Sequence, residues 1–157
     1  MRIRLFADYC QIHILDESSE GELAERWTNE ALTDRLVAVR DILGIRTEVD
    51  VDVQVEISST SGRPSLDMDP YDHVVEASVE IPSGRMVVMG CSDYLPDATR
   101  VEVEPGWVRI RVQKSNLANA VAADLESDES PETIERIKVD VWPEDPSGVR
   151  VLKQWNP

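Results

Sequence analysis

The stretch Val101-Glu102-Val103-Glu104-Pro105-Gly106-Trp107-Val108-Arg109-Ile110-Arg111-Val112 reads as strand, turn and strand. Val101 and Val103 share one face of the first segment, and Val108, Ile110 and Val112 alternate with Arg109 and Arg111 in the second. That period of two is what a β-strand imposes. Between the segments Pro105 presets φ and Gly106 tolerates positive φ, the pair a type II turn demands. The sequence predicts a hairpin here.

The same grammar recurs outward from this point. Glu76 to Val88 predicts a second hairpin, with Val79 and Ile81 running into Pro82-Ser83-Gly84 before Met86, Val87 and Val88. Val51, Val53, Val55 and Ile57 alternate with Asp52, Gln54 and Glu56 in a third clear strand. Further strands are expected at Ile3 to Phe6, Gln11 to Leu15, Gly44 to Thr47, Ile137 to Trp142 and Val149 to Trp155. Helical signals are few. Thr28 caps a short helix from Asn29, with Ala31, Leu32, Arg35 and Leu36 at helical spacing, and a second short helix follows Ser115. Val37 to Ile45 fits an edge strand as well as a helical continuation. Ser58 to Tyr71 and Asp124 to Glu132 read as loops.

About eight or nine short strands separated by turns predict a mostly β fold, an antiparallel β-sandwich with one or two short connecting helices. The 157 residues fit one domain, residues 1 to 157, without repeat or linker. Most of Trp27, Trp107, Trp142 and Trp155 are expected to plug the sandwich core or its ends. No long apolar run suggests a membrane span, and the N-terminus has no signal-peptide pattern, so a cytoplasmic protein is expected. Cys10 and Cys91 follow no metal spacing and read as two buried thiols.

Catalytic signals are thin. His13 and His73 are the only histidines, and neither has a ligand partner at metal spacing. Asp67, Asp69 and Asp72 start like a calcium loop, but Asp72 and Ser78 occupy the places that need Gly and Glu. A metal-dependent enzyme using these aspartates with His73 is the third choice. Phosphate-binding loops, nucleophile elbows and zinc motifs are absent. The expectation is a binding protein rather than an enzyme, with no cofactor.

Charge gives the direction. The net charge is −15, from 31 acids and 16 bases, which disfavours direct contact with nucleic acid or an anionic membrane. Glu48 to Gly84 holds nine acids and one base, Arg63, and Ser115 to Glu135 holds six acids and no base. Arg100, Arg109, Arg111 and Lys114 cluster instead around the late hairpin. If the two acidic segments fold onto one side, Asp67, Asp69, Asp72, Asp124, Glu126, Asp128 and Glu129 form the candidate surface for a basic partner. The competing explanation is a solvated, solubilising face.

Short motifs add a family. Tyr9-Cys10-Gln11-Ile12, then Trp27-Thr28-Asn29-Glu30-Ala31-Leu32, then Gly106 after a turn and Trp142-Pro143 at a strand end, resemble in order the competence protein J family of nuclease inhibitors. The Ser58 to Tyr71 loop and the tail after Pro143 are longer than that pattern. The resemblance implies a β-sandwich that inhibits a partner nuclease by binding it, and it carries over no site residue. Tyr9 and Trp27 are expected to pack the helical connector onto a sheet. The leading expectation is an inhibitor or immunity protein that occludes the cleft of a cationic nuclease or toxin. The alternative is a structural or small-ligand-binding sandwich whose acidity serves solubility.

Overall fold

The computed structural model describes residues Met1–Pro157. Eleven strands form: β1 Arg2–Phe6, β2 Gln11–Asp16, β3 Leu36–Val39, β4 Ile42–Arg46, β5 Asp52–Ser59, β6 His73–Ile81, β7 Arg85–Gly90, β8 Thr99–Glu102, β9 Gly106–Ser115, β10 Arg136–Pro143 and β11 Arg150–Lys153. Two short helices, α1 Asn29–Asp34 and α2 Leu117–Ala123, join them. The strands make a six-stranded sheet in the order β1-β5-β10-β9-β6-β11 and a five-stranded sheet in the order β3-β4-β2-β7-β8. Neighbours are antiparallel except β5 and β10, which run parallel. This is the expected β-sandwich, with more strands than the eight or nine read from the sequence.

Alternation places the core. Ile12, Ile14, Leu43, Ile45, Met86 and Val88 of the smaller sheet face Val53, Val55, Val75, Ala77, Val108, Ile110, Val139 and Val141 of the larger, within one cluster of 23 buried residues. The outer face of the smaller sheet is apolar as well. Leu15, Val37, Ile42, Val87 and Met89 are covered there by Leu23 and Ala31, with Trp27 packed against them. A Cβ on Gly44 would stand 2.8 Å from both Trp27 and Leu23, so glycine is what lets that cover lie flat. This also settles Val37 to Ile45: two strands, buried on both faces, paired through a tight turn from Leu36↔Ile45 to Val39↔Ile42.

The outer face of the larger sheet is polar yet buried. Glu76 accepts from Arg63 Nη1 at 3.0 Å, Arg111 Nε at 2.9 Å and Arg109 Nε at 3.4 Å. Two guanidiniums stack on the indole of Trp142, Arg63 at 4.9 Å and Arg111 at 5.0 Å from the ring centroid. Two irregular segments cover this face, their carbonyls accepting from its guanidiniums: Pro64 C=O from Arg111, and Ser147 and Gly148 C=O from Arg109. Three members of the basic cluster expected around the late hairpin, Arg109, Arg111 and Lys114, are therefore internal, while Arg100 is half-buried and meets Glu17. None of the four tryptophans belongs to the core between the sheets.

Neither predicted hairpin is a hairpin. The first turn exists, with Gly84 N–H donating to Ile81 C=O, and at the second site the chain only bends at Pro105, with Gly106 at positive φ; each carries the chain from one sheet to the other. β6 pairs with β9, from His73↔Lys114 to Ile81↔Gly106, and β7 pairs with β8. Turn chemistry specifies where a chain reverses; partner choice is made by the faces that must be buried. The loop read at Asp124 to Glu132 is mostly a 3-10 turn, Asp124–Glu129, and Ser58 and Ser59 extend β5.

Candidate partner-binding end

The strand directions gather four connections at one end of the sandwich: residues 7–10, 47–51, 91–98 and 116–135. Together they contain eleven acids and no base. The short connections at the opposite end, 40–41, 82–84 and 103–105, hold two acids and one base. Asp72 joins the acidic end through β6, and its Oδ2 accepts from Leu117 N–H at the start of α2. Of the two acidic segments read from the sequence, Ser115 to Glu135 lies wholly at this end, whereas Glu48 to Gly84 contributes only Glu48, Asp50 and Asp72, its other acids being on strands or on the long loop.

Two of these carboxylates turn inward. The Lys114 ammonium, fully buried, donates to Glu48 Oε2 at 2.8 Å and to Arg46 C=O at 2.7 Å, and lies 3.1 Å from Glu135 Oε1. Arg35 Nε meets Glu48 at 3.1 Å and stacks over Trp155 at 5.0 Å. Burial pushes the Glu135 carboxyl up, against the pull of Lys114. Burial also pushes Glu48 up, but the Lys114 charge and hydrogen bonds outweigh it and hold the group below its ordinary value. The remaining acids stay at the surface. Arg4, Arg46 and Arg136 stand at nearby strand ends, each tied back to the chain: Arg4 to Asp128 and Asp52, Arg46 to Leu32 C=O, Arg136 to Pro131 C=O.

The seven residues read from the sequence divide by role. Asp124, Glu126 and Glu129 are exposed on the 3-10 turn, while Asp128 meets Arg4. Asp67 and Asp69 are exposed on the long loop, where Asp67 Oδ1 accepts Asp69 N–H at 3.1 Å. Asp72 caps α2 and is a structural residue. No three His, Cys, Asp or Glu side chains converge as a metal site. Sequence reading missed Asp8, Asp93 and Asp97, which stand in short connections outside the acidic runs, and counted Asp50 in a run without singling it out; only the topology brings the four to one end.

It also missed the aromatics. Tyr9, expected to pack onto a sheet, is 74% exposed, and Tyr94 is 71% exposed on the neighbouring 91–98 connection. The two connections touch where Cys91 Sγ donates to Asp8 C=O at 3.1 Å. Trp27 does pack as expected, over Gly44. The cysteines are half-buried and unpaired. Burial, then the carboxylates of Asp50 and Glu135 for Cys10 and Asp8 for Cys91, push both thiols up, which keeps them protonated and weakly nucleophilic. His73 has both nitrogens engaged, Nε2 with Asp34 C=O and Nδ1 with Trp155 N–H. The arrangement offers charge and aromatic surface.

Two solved structures match almost the whole chain. The first is ComJ from Bacillus subtilis, described as an inhibitor of the DNA-degrading activity of NucA; it superposes with a TM-score of 0.68 at 10% identity, over 92% of this chain and 96% of that one. This chain has the ComJ fold. The second, described as crocagin biosynthetic gene J, matches with a TM-score of 0.61 at 21% identity over the same shares. The ComJ fold is thus held by chains of very different sequence. No family model matches this chain, and no curated protein matches it by sequence. No helix is long and apolar enough to cross a membrane.

Proposed function

We propose that this protein binds and inhibits a nuclease, presenting its acidic end to the cationic cleft through which that enzyme holds nucleic acid. The observation that carries the reading is the concentration, in four connections at one end of the sandwich, of eleven acids and no base, nine of them left at the surface once Glu48 and Glu135 have turned inward onto Lys114. Carboxylates so placed stand in for phosphates, and a cleft built for a polyanion accepts them. The likeness to ComJ, whose description is that of a nuclease inhibitor, supports the choice of partner class. The protein acts stoichiometrically and needs no cofactor. Long-range attraction raises the rate of encounter, and the complex then denies the cleft to DNA.

The test is capture from a lysate of the source organism on the immobilised protein at low salt, followed by a DNA-degradation assay of the eluate. The expected result is one basic nuclease, silenced by adding the protein back at a one-to-one ratio. Failure to recover any DNA-degrading activity, or a recovered nuclease indifferent to added protein, contradicts the proposal.

A further inference from the structure

The acidic end accounts for attraction but not for grip, because exposed charge pairs are screened and individually weak. We infer that Tyr9 and the socket beside it anchor the complex, a cationic protein inserting one large apolar side chain among Tyr9, Trp27 and Leu32 while its bases meet the surrounding carboxylates. This rests on the acidic end being the binding surface, and it does not require the partner to be a nuclease.

Three observations converge on the spot. First, the chain turns from β1 into β2 through Tyr9 and Cys10, both in the left-handed region at φ 56°. Non-glycine residues are uncommon there, and the turn spends this strain on holding a tyrosine ring out in solvent. Secondly, a cavity of about 280 Å³ opens beside that ring, lined by Tyr9, Cys10, Gln11, Trp27, Leu32 and Arg46. Thirdly, Tyr94 stands exposed on the adjoining connection, and Asp8, Asp50, Asp93 and Asp97 belong to the same end. Apolar sockets and aromatic side chains ringed by polar groups are the composition of interface hot spots. The charge selects the occupant. A second copy of this chain, a nucleic acid and an anionic membrane all bring negative charge, so a protein with a basic surface is the partner that fits.

The test uses the full chain with p-benzoylphenylalanine at position 9 and, as a control, at position 40 in the opposite end. Illumination in lysate of the source organism is expected to give an adduct with one protein of basic isoelectric point from position 9 and none from position 40. With that protein in hand, Tyr9→Gly is expected to raise the dissociation rate at least about tenfold with little change in association rate. The same variant is expected to melt no lower than the wild type, because glycine relieves the left-handed strain. No adduct from position 9, equal adducts from both ends, or a Tyr9→Gly complex as long-lived as the wild type overturns the anchor. An adduct whose partner degrades no DNA leaves the anchor standing and removes the nuclease. A nuclease inhibited equally well by Tyr9→Gly does the reverse.

Discussion

At the scale of single residues, stability rests on ionisable groups taken out of water. Burial and the nearby charges of Lys114 and Arg35 push His73 down to about 4, against the pull of its hydrogen bond to Asp34 C=O. Neutrality is what its contacts need, since Nδ1 accepts Trp155 N–H. As pH falls from about 6.5, the unfolded chain takes up a proton that the folded chain refuses until about pH 4. The stabilisation is complete above that window and lost across it. Burial pushes Asp16 and Glu76 up, but hydrogen bonds from Ser18 and Ser83, and from Arg111 and Arg63, outweigh it and hold both below the usual carboxylate range. Their stabilisation is likewise lost as pH falls, so the effects add. Glu135, pushed up, works in the opposite sense, so the His73 contribution is read by difference. His73→Phe is expected to flatten the pH dependence of the melting temperature between about pH 6.5 and pH 4 relative to the wild type, and identical profiles for the two contradict it. Glu76 is the most exacting of these groups. Glu76→Gln leaves Arg109 and Arg111 buried beside a neutral amide, at a cost of about 3–5 kcal/mol. That lowers Tm by roughly 10 °C or more, measurable by calorimetry.

At the scale of elements, the covers over the two outer faces decide what the sheets can present. Gly44→Ala puts a methyl group into Trp27 and Leu23, and is expected to cost about 1–3 kcal/mol and to shift the tryptophan emission as the segment lifts. An unchanged spectrum and Tm would show that the cover is loosely held. Strands such as Val51 to Ile57 were legible because one face meets the core and the other stays polar, and Thr28 was legible as a cap, its Oγ1 accepting Ala31 N–H at 3.1 Å. Val37 to Ile45 is ambiguous because both faces of its strands are largely buried, which erases the period of two. The hairpin readings failed for a different reason. Ile81 to Gly84 encodes a sharp reversal and Pro105-Gly106 only a bend, and β9 carries the alternation of a half-exposed strand although its outer face is buried under Pro64 and Gly148. Arg109 and Arg111 looked like a basic surface for that reason. The buried partners of both, above all Glu76, lie about thirty residues away in sequence.

At the scale of the whole molecule, connections far apart in sequence build a single acidic end, of which sequence reading saw the runs and missed the isolated members. The segment from Ser115 to Glu135 is legible as a run; Asp8, Asp93 and Asp97 acquire meaning only because β1, β4, β7 and β9 finish at the same end of the sandwich, beside Asp50. This polarity gives the account its kinetic signature. Association with a cationic nuclease is expected to slow markedly between about 50 and 500 mM salt as the Debye length shrinks severalfold, while dissociation, governed by the apolar contact, changes little. The most direct measurement is the one-to-one inhibition of the captured nuclease by three forms of the protein: wild type, a variant with Asp8, Asp50, Asp93 and Asp97 changed to Asn, and a variant with Asp41 and Glu104 changed to Asn and Gln at the opposite end. The account predicts that the first and third inhibit alike and that the second needs at least about tenfold more protein. Equal inhibition by all three would contradict it, and would leave the acidic end with no role beyond solubility.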